Sequence, residues 1–307
     1  MQWTRRDVVK LGFGAAAAAA LTPVTTLFAQ SGNKLITKPI PSSGEQIPVI
    51  GIGTARRYEE ASAEDRAEIK EVLRLLPELG GKLIDTAPSY GGAEALVGEI
   101  TSELGNRDRL FLATKVGASN KASGAAQIEE SFRKLKTNRI DLIAVHNLRD
   151  VTDQLATLRD LKQSGRIRYL GVTTSFEGQY GQMESVLSKE KLDFCQVDYA
   201  LDNRNAADRI LPLAKDQGIA VMTNLPFGRG RLFAEVQNRP LPDWAAEIDC
   251  KTWAQVFLKY IVSHPAVTCA IPGTARVKYL QDNLGAAQGR LPDEAMRKRM
   301  EQFIDKL

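Results

Sequence analysis

The sequence is poor in the residues that most often build metal and disulfide sites. Two histidines and three cysteines occur in 307 residues, and Cys195, Cys250 and Cys269 stand far apart without a CxxC pair. An odd number of cysteines at long spacings does not predict a disulfide framework, and the spacing is not that of zinc ligands. We therefore expect neither a disulfide-rich domain nor a bound metal.

Runs of one charge are also missing. Removing the three basic and one acidic residues of the segment 1–29 from totals of 41 and 37 leaves 38 basic and 36 acidic residues. A basic stretch interleaved with aromatic residues does not remain, which argues against a nucleic-acid partner. With 43% hydrophobic and 25% charged residues, the composition is typical of a globular protein with a large core.

The first thirty residues differ from the rest of the chain. Arg5 and Arg6 precede an alanine-rich apolar run over residues 11–21, in the order of an export signal. The paired arginines resemble a twin-arginine signal, which directs folded proteins to the export machinery. The run is short for a membrane span, so a membrane anchor or an amphipathic helix is the weaker alternative. We predict a signal peptide over residues 1–29 and a periplasmic or otherwise exported mature chain without a stable span.

Short apolar runs with strand character recur along the rest of the sequence. They hardly alternate in polarity, which is typical of parallel strands buried on both faces. The eight runs cover residues 49–52, 82–85, 110–115, 141–146, 170–173, 194–199, 219–223 and 267–271.

Helical patterns lie between these runs. Ile69, Val72, Leu73 and Leu76, for example, follow the i, i+3, i+4, i+7 spacing of an amphipathic helix. Eight strand–helix units predict an α/β fold, a (β/α)8 TIM barrel over residues 35–307. A β-hairpin is expected over residues 35–49, before the first barrel strand. The long segment 226–250 between the seventh strand and its helix is expected to act as a lid over the active face.

Polar residues stand at the ends of three neighbouring strands, where barrel enzymes carry their reactive groups. Asp85 ends the second strand with Tyr90 five residues on, Lys115 ends the third, and His146 ends the fourth. With strands about 4.8 Å apart, these side chains should meet at one end of the barrel. Each residue alone also has a structural explanation, such as a turn cap or a loop anchor.

Together the four residues predict a general acid, a side chain that donates a proton during the reaction. A phenol with a pKa near 10 is a poor proton donor at neutral pH unless its anion is stabilised. Lys115 would lower the pKa of Tyr90, and Asp85 would keep Lys115 charged. His146 would donate a hydrogen bond to a carbonyl oxygen. The expected chemistry is proton donation to an oxygen that gains charge as a hydride reaches its carbon.

These residues lie in motifs that resemble the aldo-keto reductase family. Residues 83–91, Leu-Ile-Asp-Thr-Ala-Pro-Ser-Tyr-Gly, are similar to its Asp-Thr-Ala-x-x-Tyr-Gly motif, Thr114-Lys115 to its Thr-Lys, and residues 141–146 to its histidine strand. The resemblance covers about residues 35–284. It implies a catalytic tetrad of Asp85, Tyr90, Lys115 and His146, a small-molecule carbonyl substrate, and a cofactor, NADP(H), held without a Rossmann fold.

The resemblance also implies a set of cofactor contacts. The nicotinamide end would be bound by Thr173, Thr174, Gln196 and Tyr199, with Tyr199 stacking on the ring. The pyrophosphate would meet the segment 225–230, and the adenosine phosphate would meet a loop at a helix N-terminus. The residues implied in these two places are Leu225, Phe227, Gly228, Gly230, Gly273, Thr274, Arg276 and Asn283.

The chain departs from the family pattern at several positions. Thr173-Thr174 replaces a Ser-Asn pair, so an amide is lost although a hydroxyl remains. Gly273 replaces a lysine found in some members, which leaves NAD(H) as a possible cofactor. Two other activities stay open: a lyase that forms a Schiff base at Lys115, and a cofactor-bound regulatory or binding protein with little turnover.

Overall fold

The computed structural model describes residues 34–307, and the predicted signal peptide over residues 1–29 lies outside them. Within the described part, eight parallel strands follow one another around a barrel in chain order. The strands are β3 (Ile52–Gly53), β4 (Leu83–Asp85), β5 (Phe111–Val116), β6 (Ile140–His146), β7 (Ile167–Thr173), β8 (Phe194–Asp198), β9 (Ala220–Asn224) and β10 (Val267–Ala270). Bridges from Ile50 to Ala270 and from Gly53 to Gly273 bring the first and last strands together.

Helices cover the outside of the sheet, as the sequence predicts for a (β/α)8 barrel. They are α1 (Ala63–Glu78), α2 (Ala93–Leu104), α3 (Lys121–Lys134), α4 (Val151–Gln163), α5 (Tyr180–Lys189), α6 (Ile210–Asp216), α7 (Arg231–Glu235), α8 (Trp253–Ser263), α9 (Val277–Gly285) and α10 (Glu294–Ile304). In α1 the predicted stripe is buried against the sheet at Ile69, Val72, Leu73 and Leu76. The predicted fold class is therefore confirmed.

An antiparallel hairpin of β1 (Thr37–Pro39) and β2 (Gln46–Pro48) precedes the barrel, as expected. Ile40 and Ile47 are fully buried and join the apolar cluster that fills the barrel interior. The hydroxyl of Tyr169 in β7 donates to Glu45 of the hairpin at 2.7 Å. Tyr169 lies near the N-terminal end of β7, so the hairpin covers the N-terminal end of the barrel. Barrel enzymes carry their active sites at the opposite, C-terminal end.

The segment 226–250 does not form a free lid over its whole length. Its second half packs against the outer helices: Trp244 lies edge-on to Phe303 of α10, with ring centroids 5.8 Å apart. Lys259 of α8 donates to the carbonyl of Ile248 at 2.6 Å. The lid prediction is therefore wrong for this half, because a helix layer already buries its apolar side chains.

Three further observations apply to residues 34–307. Over this range no helix has the length and apolar character needed to cross a bilayer. Groups of three or more His, Cys, Asp or Glu that could hold a metal ion are absent from the same residues. The three cysteines are unbonded and buried.

The hairpin should stabilise the barrel without contributing to the active end. We predict that Ile47→Ala lowers the free energy of unfolding by about 2–5 kcal/mol, because it removes buried methyl groups from the barrel interior. Urea unfolding measures the loss. The exposed Gln46→Ala in the same strand is the matched control, with a change within about 0.5 kcal/mol. Equal stability of the two variants would show that the hairpin is not part of the core.

Candidate active site

A buried ion pair lies at the C-terminal end of the barrel. Lys115 of β5 is 1% exposed, and Asp85 at the end of β4 is 4% exposed. The ammonium of Lys115 donates to both carboxylate oxygens of Asp85, at 2.9 and 2.8 Å, and to the carbonyl of Thr86 at 2.8 Å. All three N–H groups thus have acceptors, so Lys115 is held charged and in one position.

Tyr90 and His146 lie beside this pair. The ammonium of Lys115 is 5.1 Å from the centroid of the Tyr90 ring. The Tyr90 and His146 rings meet edge to face, with centroids 6.1 Å apart and planes at 84°. The structure therefore brings the four residues of the predicted tetrad together around one point of the barrel mouth.

The turn that carries Tyr90 needs glycine behind it. The Tyr90 N–H donates to the carbonyl of Ala87 at 3.0 Å, and Gly91 then has a φ of +50°. A Cβ at position 91 would also lie 3.1 Å from the carbonyl oxygen of Glu59. The Gly91-Gly92 pair thus allows the chain to turn tightly into α2 while the phenol stays at the mouth.

The charges and burial at the site favour side chains that keep and donate a proton over side chains that act as nucleophiles. Burial raises the pKa of Tyr90, and the opposing charge of Lys115 does not reverse the shift. Lys115 acts to lower the pKa of the phenol, as expected, but burial has the larger effect and the net shift is upward. Burial acts to lower the pKa of Lys115, but the Asp85 carboxylate and Tyr90 together outweigh it and the pKa is raised.

Burial and the nearby charge of Lys115 lower the pKa of His146 to about 4. At neutral pH the imidazole of His146 is therefore neutral, and Tyr90 keeps its proton. Both groups can donate a hydrogen bond to the same ligand oxygen.

Two of the predicted nicotinamide contacts extend this cluster. The amide nitrogen of Gln196 in β8 donates to Asp85 at 3.0 Å, and the hydroxyl of Thr173 in β7 donates to the amide oxygen of Gln196 at 2.8 Å. Both side chains face the barrel interior, and they form a polar floor beside Lys115.

Thr174 and Tyr199 do not face the mouth, contrary to the prediction. The Thr174 hydroxyl is turned outwards and donates to Gln179, beside α5. Tyr199 follows Gln196 by three residues, so the alternation of a strand directs it to the opposite face. Its hydroxyl is bonded to Arg297 of α10 at 2.7 Å and to Tyr260 of α8 at 3.2 Å. Tyr199 is thus part of the layer between sheet and helices and cannot stack on a ring at the mouth.

The predicted pyrophosphate segment has a backbone built for close approach. Leu225 has a φ of 51°, Gly228 a φ of +56° and Gly230 a φ of +100°. The last value is accessible in practice to glycine alone. Phe227 packs on Phe233 with ring centroids 4.9 Å apart, so its ring anchors the segment.

A groove of about 680 Å³ marks the predicted adenosine end. Gly273 and Arg276 line it together with Arg57, Lys278 and Tyr279. A Cβ at Gly273 would meet nothing within 4 Å, so the backbone there is open to a ligand. Arg276 is paired with Asp65 at 3.0 Å, which holds its guanidinium at the groove.

The side chains of Thr274 and Asn283 are not available in the predicted way. Thr274 is fully buried, its hydroxyl donates to the carbonyl of Pro272, and the amide nitrogen of Asn283 donates to that hydroxyl at 3.0 Å. The prediction of a phosphate contact by the Thr274 hydroxyl is therefore wrong. The pair instead ties the loop to α9, a role that composition and spacing do not reveal.

One polar residue of the mouth lies outside the motifs that the sequence indicates. Asn224 ends β9, and its amide nitrogen donates to the carbonyl of Thr174 at 3.3 Å. The signal was present in the sequence, since Asn224 follows the apolar strand 219–223 and an alternating pattern places it on the interior face with Met222.

What this arrangement can do is protonate an oxygen that gains negative charge. It defines an oxidoreductase that reduces carbonyl groups at the C-terminal end of a (β/α)8 barrel. The chain belongs to the Aldo/keto reductase family, whose family model matches residues 49–304.

Curated relatives support this assignment over most of the chain. Methylglyoxal reductase YeaE of Escherichia coli (strain K12) is 33% identical over 266 residues, which cover 83% of this chain and 90% of the relative. Methylglyoxal reductase DkgB of Yersinia pestis is 32% identical over 248 residues, with coverages of 78% and 86%.

Solved structures agree with the fold and the family. An aldo/keto reductase from Klebsiella pneumoniae, solved in complex with NADP and acetate, has a TM-score of 0.73 at 27% identity and covers 85% of this chain and 93% of its own. An aldo-keto reductase from Klebsiella pneumoniae in complex with NADPH has a TM-score of 0.74 at 25% identity, with coverages of 89% and 96%.

The position of Tyr199 generates a prediction that separates structural from cofactor roles. Tyr199→Leu should lower the free energy of unfolding by about 3–5 kcal/mol, because the buried guanidinium of Arg297 loses an acceptor and the aromatic ring that packs on Tyr260 is removed. The affinity for NADPH should stay within about twofold, as measured by quenching of cofactor fluorescence. A large loss of cofactor affinity in a stable variant would restore Tyr199 to the site.

Proposed function

We propose that the chain reduces small, reactive aldehydes and ketones to alcohols with NADP(H) as cofactor and Tyr90 as general acid. The observation that carries the proposal is the position of Lys115, fixed by Asp85 and 5.1 Å from the Tyr90 ring. A cation at this place stabilises the phenolate that remains after proton transfer. The two relatives named as methylglyoxal reductases support a small α-oxo aldehyde as the first substrate to test.

The residues at the barrel mouth fit a nicotinamide dinucleotide phosphate. Gln196 and Thr173 supply polar contacts at the nicotinamide end, and the positive-φ backbone of residues 225–230 suits the pyrophosphate. The groove lined by Gly273, Arg276, Arg57 and Lys278 suits an anionic adenosine phosphate. The cationic lining favours the phosphorylated cofactor, although Asp65 and Glu68 of the same groove reduce its net charge.

The proton steps follow from the charges of the site. When bound, the reduced cofactor supplies a hydride to the carbonyl carbon. Tyr90 is protonated at neutral pH and transfers its hydroxyl proton to the carbonyl oxygen, while neutral His146 donates a hydrogen bond to the same oxygen. Lys115 stabilises the phenolate, which regains a proton from water. Lys115 acts on the pKa of Tyr90 chiefly through its charge and, to a smaller extent, through a hydrogen bond to the phenol.

The same contacts speak against a Schiff base at Lys115. A lysine nucleophile must be neutral, whereas Asp85 keeps the pKa of Lys115 above its ordinary value. Trapping with borohydride would label Lys115 in a lyase and leave the reductase unmodified. A binding protein with little turnover would retain NADPH tightly and reduce none of the aldehydes tested.

Removal of the phenol hydroxyl tests the proposed acid. Tyr90→Phe should lower kcat for NADPH-dependent reduction of methylglyoxal by about 10²–10⁴-fold, because general acid catalysis contributes that much. The dissociation constant of NADPH should change little. Both are measured on the purified protein by absorbance and fluorescence of the cofactor.

Tyr169→Phe is the matched control for this experiment. Tyr169 is a buried tyrosine of the barrel interior that is bonded to the hairpin at the opposite end. Its variant should keep wild-type turnover. Wild-type turnover by Tyr90→Phe as well would disprove the role of the phenol as acid.

We also propose that the mature protein is exported in folded form. The support is the sequence of residues 1–29, with Arg5-Arg6 ahead of an apolar run. In a bacterial host with the twin-arginine machinery, the full chain should occur in the periplasm, shortened by cleavage after Ala29. The charge-conserving variant Arg5→Lys/Arg6→Lys should stay in the cytoplasm at full length. An equal distribution of the two proteins in fractionated cells would contradict export by this route.

A further inference from the structure

Asn224 lies at the end of β9, next to the strand that carries the predicted nicotinamide contact Gln196. It is the last residue of β9, and it shares the interior face of that strand with Met222, which belongs to the apolar filling of the barrel. It retains partial exposure, unlike Met222, because the strand ends there and the mouth begins.

The amide of Asn224 reaches across the mouth. Its nitrogen donates to the carbonyl of Thr174, which follows β7, whereas Asn224 itself ends β9. Strand β8 lies between the two, and the N–H of Thr174 donates to the carbonyl of Gln196 in β8. The carboxamide of Asn224 therefore bridges the end of β8, close to the residue that fixes Asp85.

The amide oxygen of Asn224 is buried and has no hydrogen-bond partner within residues 34–307. The bond to the Thr174 carbonyl fixes the orientation of the amide, because a flipped amide would place two oxygens against each other. The Oδ1 atom is thus an acceptor in need of a donor, and a buried oxygen without one is unfavourable.

Neighbouring polar side chains do not donate to this oxygen within residues 34–307. The amide of Gln196 is bonded at both ends, to Asp85 and to Thr173, and the hydroxyl of Thr174 is turned away to Gln179. The family pattern has an amide side chain at position 174, where this chain has threonine. The amide nitrogen of Asn224 donates to the backbone carbonyl of that same residue.

We propose that Asn224 is a cofactor-binding residue whose Oδ1 accepts a hydrogen bond from the carboxamide N–H of the nicotinamide. This inference rests on the proposed function and adds a contact that orients the ring. It predicts that the protein distinguishes a nicotinamide, which carries N–H donors on its carboxamide, from an acetylpyridine, in which a methyl group replaces the amino group.

Calorimetric titration of the purified protein with two cofactors tests the contact. Wild type should bind NADP⁺ about tenfold more tightly than its acetylpyridine analogue, since one hydrogen bond to a buried acceptor is worth about that factor. Asn224→Leu should bind both with nearly equal affinity, at the level of the analogue. Affinity for an adenosine bisphosphate that carries the 2′-phosphate but has no nicotinamide should be the same in both proteins.

Asn224→Asp keeps an acceptor oxygen, so it should keep a preference for NADP⁺ even if the loss of the bond to Thr174 weakens both cofactors. An equal loss of affinity for the two cofactors in Asn224→Leu, or no loss at all, would overturn the contact while leaving the proposed function intact. If wild type bound neither cofactor, the proposed function would fail together with this inference. Loss of the preference in Asn224→Asp would also count against an acceptor role.

Discussion

The chemistry of this protein depends on a charge that is buried and held in place. Lys115 is almost without contact with water, and such an ammonium persists only if its desolvation is offset by strong partners. Asp85 provides two of them and the Thr86 carbonyl the third, so the pair is complete by itself. The pair also determines the state of its neighbours: the charge of Lys115 acts to lower the pKa of Tyr90, and His146 is kept neutral by its burial and by the same charge. Gln196 then joins the pair through Asp85 and links it to the strand ends on the far side of the mouth.

The barrel separates this site from the part of the fold that stabilises it. Interior side chains from the strands and from the hairpin form one apolar column, with Ile40 and Ile47 at the N-terminal end. Polar residues replace apolar ones toward the C-terminal ends of β4 to β8, where Lys115 and Asp85 are the first charges met on the way to the mouth. The apolar column beneath the ion pair keeps water out from below, which strengthens the electrostatic effect of Lys115 on the phenol.

Sequence patterns predicted the fold and the tetrad because both depend on local order. Apolar runs mark the strands, and the polar residue that ends each run must lie at the same barrel face as its neighbours. Predictions that required a side-chain direction or a packing partner were less successful. Tyr199 was assigned to the mouth by its proximity to Gln196, although the odd spacing of three residues directs it outwards to Arg297. Thr274 carries the residue type of a phosphate ligand, but its partner Asn283 lies nine residues away in α9 and removes its hydroxyl from the groove.

The pair of Thr174 and Asn224 shows why such departures cannot be judged one position at a time. Along the chain, Thr174 directly follows β7 and stands where the family pattern has an amide side chain, and Asn224 is an ordinary polar residue at the end of β9. In the barrel the two strand ends are separated by β8 alone, and the amide of Asn224 meets the carbonyl of Thr174. A functional group can thus be replaced from a strand that is distant in sequence, because the ends of all eight strands converge on one mouth. The geometry of the barrel, more than the residue type at any single position in the chain, determines which side chains can share a ligand.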